Sequence, residues 1–336
     1  MASLAVFLFS LGVLICSGGA DAKPPNFVFI LTDDQDSLLK GLDDMPATLS
    51  LLREGGREYV NAFVDTPICC PSRTSTLSGL YGHNLGQQPL QDWCGNFTGR
   101  EIENRTWITA LHDAGYVTSM SGKYHNAPPQ HFVPKGWDDF FSLNNECQYF
   151  NNTFNSNGTH VVFGHEPEDY MTALIGNRSL AFLRNALAGG RPFLAYIAPH
   201  ASHMPTTPAP WYADAPLPSY TAPRTPQYNT SGEGKHWVIA GQPPMSERLA
   251  AGVDAIYTMR HRALLSVDDI VRDTAAVLEA AGEMDNTYWF YTSDHVRIPR
   301  RAAPLSSPFF SLFPSRARSH TCYPPPPPPM PPSPGL

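Results

Sequence analysis

Charged side chains are scarce in this chain, 16% of 336 residues, and no basic block occurs before the C-terminal end. With a net charge of −7, that distribution argues against nucleic acid as a partner. No internal repeat is present, which removes stacked-repeat architectures. Long apolar runs are missing too. The most continuous one, Leu4 to Cys16, is too short for a membrane span, and no Lys or Arg precedes it. Ala20-Asp21-Ala22 then offers a small-residue cleavage site before Lys23. Residues 1–22 therefore read as a signal peptide, with no membrane attachment after its removal. Cysteines number six, of which Cys69, Cys70, Cys94, Cys147 and Cys322 outlast that cleavage. An odd number in an oxidising compartment leaves at least one thiol unpaired or chemically committed. Cys94 with Cys147 is a possible bridge, and the pairing stays open.

What the chain has in quantity is apolar surface, 42% of its residues, enough to bury a sizeable core. Six Asn-x-Ser/Thr sequons, at Asn96, Asn104, Asn151, Asn157, Asn177 and Asn229, point to a glycoprotein of the secretory pathway. Its destination would be outside the cell, or a lysosome, vacuole or cell-wall space. Short β-rich runs alternate with helical ones. Strands are expected at 26–31, 59–64, 116–121, 192–198 and 287–292, and helices at 46–54, 72–80, 107–114, 169–188 and 247–281. That order predicts an α/β fold, a mostly parallel sheet with helices on both faces. Ligands gather at the C-terminal edge of such sheets. Asp33-Asp34, Lys123, His200 to His203 and Asp294-His295 each follow an expected strand.

The most specific segment runs from Cys69 to Gly79: Cys69-Cys70-Pro71-Ser72-Arg73, then small or hydroxyl residues and Gly79. It resembles the signature of the sulfatase family, whose first cysteine is oxidised to formylglycine in the endoplasmic reticulum. The resemblance implies an alkaline-phosphatase-like sandwich and a sulfuric ester hydrolase. A formylglycine-generating enzyme would be the maturation partner, and Cys69, just ahead of a helix, the residue it converts. A hydrated aldehyde suits the chemistry, because one hydroxyl attacks sulfur and the other later expels sulfate by reforming the carbonyl. Asp33, Asp34, Asp294 and His295 are spaced as the family's metal ligands are, with the modified Cys69 completing the set. Their carboxylates suit one hard divalent cation, calcium ahead of magnesium. Gly122-Lys123-Tyr124-His125 resembles the family's Gly-Lys-aromatic-His segment, with Lys123 bridging sulfate and nucleophile and His125 beside it. His203 matches the histidine that contacts the sulfate ester, and Arg73 would orient the formylglycine.

The likeness covers roughly residues 24 to 295. Trp137 with its neighbours, Lys235-His236-Trp237, Leu264 to Asp269 and Phe290 to Asp294 resemble the N-acetylglucosamine-6-sulfatase branch. Algal and plant-type arylsulfatases share much of this, so the substrate is a sulfated sugar or an aryl sulfate. From Val296 the texture changes: residues 296–336 hold no Asp or Glu, five arginines and a proline-rich end. The expected division is therefore 1–22 signal peptide, 23–295 catalytic domain and 296–336 a divergent, extended tail. Family members continue with a second lysine and a smaller sheet domain, so the C-terminal part is expected to be truncated and the sheet to expose an edge. Two alternatives stay open. One is a phosphate-ester enzyme of the same superfold, against which the Cys69 signature argues. The other is an inactive glycoprotein that keeps the fold and binds sulfated glycans.

Overall fold

The computed structural model describes residues 23–35, 39–85, 102–126, 128, 131–144, 148–218, 220–226, 228–230 and 232–295. The expected signal peptide and tail lie outside them, as do Cys94, Cys147, Cys322 and the Asn96 sequon. A seven-stranded sheet forms the middle layer, in the order β5-β4-β3-β2-β6-β1-β7. Five strands run parallel: β1 (Asn26–Thr32), β2 (Val117–Gly122), β3 (Asp139–Leu143), β6 (Phe193–Ala198) and β7 (Thr287–Ser293). Between β3 and β6 in the chain, β4 (Thr153–Ser156) and β5 (Thr159–Val162) form an antiparallel hairpin at one margin.

Side-chain alternation explains why the central strands are apolar throughout. Val28 and Ile30 of β1 enter one core with Ala195 and Ile197 of β6, while Phe27 and Phe29 point to a second core with Leu194 and Tyr196. The first core lies under α3 (Met171–Gly189) and α4 (Glu247–Ala280), the second under α1 (Cys69–Ser78) and α2 (Trp107–Asp113). In α4 the buried residues Tyr257, Leu264, Val267, Val271 and Leu278 recur at helical spacing, and Ser246 caps the start by accepting from Leu249 N–H. Asp268 on the same helix accepts hydrogen bonds from Ala47 N–H at 3.0 Å and Thr48 N–H at 2.7 Å. Those bonds fix the entry of a short helix, Pro46–Thr48, which widens into a π-helical turn, Leu49–Glu54.

The α/β class, the parallel sheet and the helices on both faces agree with the sequence. Three departures have physical causes. Residues 59–64 form no strand, for among the described residues none offers them a ladder, and Tyr59, Val60 and Phe63 lie exposed. The helix expected over 72–80 begins earlier, so Cys69 occupies its first turn instead of preceding it; Pro71 fits there because first-turn N–H groups lack intrahelical partners anyway. The unforeseen hairpin β4–β5 turns on Asn157 and Gly158, both at positive φ, 51° and 85°. Asn-Gly is the favoured pair for such a turn.

Candidate active site

Four adjacent strands, β2, β6, β1 and β7, end on one edge, and the polar residues singled out by sequence follow them. Asp33 and Asp34 leave β1, Lys123 leaves β2, His200 and His203 follow β6, and Asp294 and His295 leave β7. The register aligns Thr32 with Ser293, so the two acidic segments emerge side by side. Gly122 makes the turn at the end of β2 possible. Its φ is +115°, and a Cβ there would stand 2.1 Å from the Ala198 carbonyl oxygen.

Helix α1 delivers Cys69 and Arg73 to this edge. Cys69 Sγ lies 3.1 Å from His295 Nε2 and 3.7 Å from Asp33 Oδ1. One helical turn on, Arg73 donates from Nε to Asp294 Oδ2 at 2.8 Å and from Nη1 to the Lys123 carbonyl at 2.6 Å. Lys123 Nζ donates to Asp33 Oδ2 at 2.6 Å. Asp34 takes a left-handed backbone, φ +60°, pinned on both sides: its N–H meets Asp294 Oδ1 at 3.3 Å, and its carbonyl accepts from Arg260 of α4. Ser72 Oγ donates to the Asp294 carbonyl. His125 stands further along, its Nε2 at 3.4 Å from Thr74 Oγ1.

Nearly all of this is buried; Asp33, Arg73, Lys123, His200 and Asp294 are fully enclosed. Burial alone would neutralise the acids, but Lys123, then His203, His200 and Arg73, hold the Asp33 carboxyl well below the usual carboxylate range. Burial, with Asp33 and Asp294 adding repulsion, instead pushes Asp34 up to about 8. Burial and the same neighbour raise Asp294. Crowded carboxylates that resist ionisation together call for a cation beyond those the chain supplies. Asp33, Cys69, Asp294 and His295 each present a ligand atom, all within 4.8 Å of one another. Asp34 Oδ1 lies 3.4 Å from His295 Nδ1, and both atoms are buried without a hydrogen-bond partner. Such orphaned donors and acceptors fit a hard divalent ion.

The structure thus brings together Asp33, Asp34, Cys69, Arg73, Lys123, His203, Asp294 and His295, while His125, also nominated, stands beside Thr74 at the margin of the cluster. Cys70 behaves differently from its neighbour, being tied in a disulfide while Cys69 is a free, buried thiol. Two contributors were missed, and His200, noted at its strand end, had been given no role. Arg260 stands out as a cation on the buried stripe of α4, three residues after Tyr257. Tyr149, whose hydroxyl donates to the His203 carbonyl at 2.8 Å, carries no signal in the sequence.

A mostly parallel sheet with helices on both faces, gathering acidic, basic and thiol groups at one edge, defines the class as α/β with the polar cluster at the strand ends. The chain belongs to the sulfatase family: residues 25–316 match the family model described as Sulfatase. It is 36% identical over 288 residues to N-acetylglucosamine-6-sulfatase of Homo sapiens, covering 82% of this chain and 52% of that protein. It is 37% identical over 284 residues to the extracellular sulfatase SULF-1 homolog of Drosophila melanogaster, covering 83% of this chain and 25% of that one. An arylsulfatase of Volvox carteri is 31% identical over 325 residues, 87% of this chain and 50% of its own length. The chain thus spans about half the length, or less, of these relatives. Among solved structures, the putative sulfatase yidJ from Bacteroides fragilis superposes with a TM-score of 0.62 at 15% identity, covering 83% of this chain and 64% of that one. A protein solved with its substrate D-glucosamine-2-N,6-O-disulfate gives 0.62 at 20% identity, covering 81% and 65%. Those likenesses establish the alkaline-phosphatase-like fold.

Proposed function

We propose that this domain hydrolyses sulfate esters of a sugar, of the N-acetylglucosamine-6-sulfate type, or of an aryl alcohol, using a nucleophile made from Cys69. The observation that carries the reading is the position of Cys69 Sγ, 3.1 Å from His295 and 3.7 Å from Asp33, on a free cysteine whose neighbour is locked in a disulfide. As a thiol it is a poor nucleophile there, because burial pushes its pKa well above the ordinary value. Oxidised to formylglycine by a formylglycine-generating enzyme, the same position would supply a hydrated aldehyde whose hydroxyl attacks sulfur. Asp33, Asp34, Asp294 and His295 would hold a calcium ion, supplying positive charge beside the sulfate oxygens.

The chain's own residues do the rest. Arg73, anchored to Asp294 and to the Lys123 carbonyl, holds residue 69 and the β7 end in one register. Lys123 offsets the sulfate charge from the β2 side, in a site where burial strengthens each attraction. His203 is neutral in the structure, its pKa lowered to about 3 mainly by burial. A bound sulfate opposes that shift, and Nε2, the ring nitrogen not engaged by the Met204 carbonyl, is the atom that would carry a proton to the leaving alkoxide. His125, likewise held neutral by burial, lines the site beyond Arg73, its Nε2 3.4 Å from Thr74 Oγ1. Secretion through the endoplasmic reticulum and N-glycosylation belong to the same reading, and the sequon residues Asn104, Asn151, Asn157 and Asn177 are exposed.

Mass spectrometry of the peptide carrying Cys69 and Cys70, from secreted protein, tests the proposal. Conversion of Cys69 alone, with sulfate release lost in Cys69→Ala, is the expected result. An unmodified Cys69, in a host that modifies other sulfatases, overturns it.

A further inference from the structure

His203 is tied down at one ring nitrogen only. Nδ1 lies 2.7 Å from the Met204 carbonyl oxygen, which can only accept, so Nδ1 carries the proton and Nε2 keeps a lone pair. A lone pair cannot donate to a sulfate oxygen; it binds a cation. A backbone carbonyl on the other nitrogen is a usual anchor for a metal-ligating histidine. His200, fully buried, has neither ring nitrogen in a hydrogen bond. Its Nδ1 stands 3.0 Å from Asp33 Oδ2 but off the hydrogen-bonding direction, and its ring centre is 4.4 Å from that of His203. Asp33, His200 and His203 each present one ligand atom, all within 4.8 Å of one another.

We propose that Asp33, His200 and His203 form a second cation subsite, for a zinc-class ion, sharing Asp33 with the carboxylate-rich site. The two oxygens of Asp33 face different ways: Oδ1 toward Cys69, Oδ2 toward Lys123 and His200. Each oxygen has more than one lone pair, so the lysine bond does not exclude an ion on Oδ2. One carboxylate and two imidazoles are a zinc set with an open fourth position, whereas the oxygen-rich neighbour favours calcium. Asp34 Oδ2, 4.0 Å from His203 Nε2, is the nearest side-chain oxygen for that fourth position. Zinc and a sulfate ester would compete for His203, which binds one through its lone pair and the other through a proton. The subsite itself stands whether or not Cys69 becomes the nucleophile.

The test is a titration of the calcium-loaded chain with Co2+, followed by visible absorption and calorimetry, with calcium content measured alongside. One Co2+ per chain is expected, giving the intense bands of a low-coordinate site. His200→Gln and His203→Gln should each weaken it at least tenfold with bound calcium unchanged. Asp294→Asn should lose calcium and keep Co2+. Absence of Co2+ binding below millimolar concentration overturns the proposal. So does Co2+ binding that survives both histidine variants, or one that vanishes with Asp294→Asn.

Discussion

His125 shows how a single buried imidazole ties stability to pH. Burial, then the charges of Arg73 and Lys123, lower its pKa to about 3, whereas in the unfolded chain it titrates near about 6.5. Between those values the unfolded chain binds the extra proton, so stability rises with pH. The contribution is whole above about 6.5 and is lost as pH falls toward 3. Denaturant midpoints at pH 7 and pH 5 measure it: the parent should lose about 2 kcal/mol more than His125→Asn between the two. Parallel losses would mean that His125 carries no such load. At this scale the sequence was most informative, because strand ends and the Cys69 signature locate chemistry without three-dimensional knowledge. Tyr149 and Arg260 escaped it because their roles, one through the His203 carbonyl and one through the Asp34 carbonyl, exist only once distant segments meet.

Elements place the site by how they stop. Gly122 ends β2 at φ +115° with the Ala198 carbonyl pressed against it, whereas Gly79, at φ +70° after α1, has open space where a Cβ would go. Gly79→Ala should therefore cost only the left-handed backbone penalty, about 1 kcal/mol. Gly122→Ala must also part β2 from β6 and move Lys123, and should cost more than about 3 kcal/mol. Urea unfolding of the two variants checks the contrast, and equal midpoints would refute it. The long helices and central strands were legible because a 3.6-residue stripe or a continuous apolar run has few other uses. The hairpin β4–β5 was not, since its strands are only four residues each and Asn157-Gly158 drew attention as a sequon. Residues 59–64 misled in the opposite sense: they have a strand's composition and, among the described residues, no partner strand.

For the whole molecule, β7 ends the sheet with Tyr288 and Phe290 exposed, 60% and 48%, on the face where Phe27 stacks on Tyr288 and Phe29 lies tilted against Phe290. Among the described residues no strand pairs with its outer edge. An apolar edge of this kind promotes self-association. Phe290→Lys should lower the apparent mass at high concentration in light scattering without moving the unfolding midpoint, and unchanged scattering would count against the edge as the sticky surface. The same strand sets a clock. Cys69 is sealed by His295, which lies 226 residues further along the chain. At a synthesis rate of about 5–20 residues per second, roughly 10–45 s pass between the emergence of the two. Throughout that interval β7 cannot dock, and residue 69 lacks the cover of His295 while the proposed oxidation would take place. On the proposed conversion of Cys69, β7, the last strand among the described residues, would be the shutter that closes the period in which residue 69 can be matured.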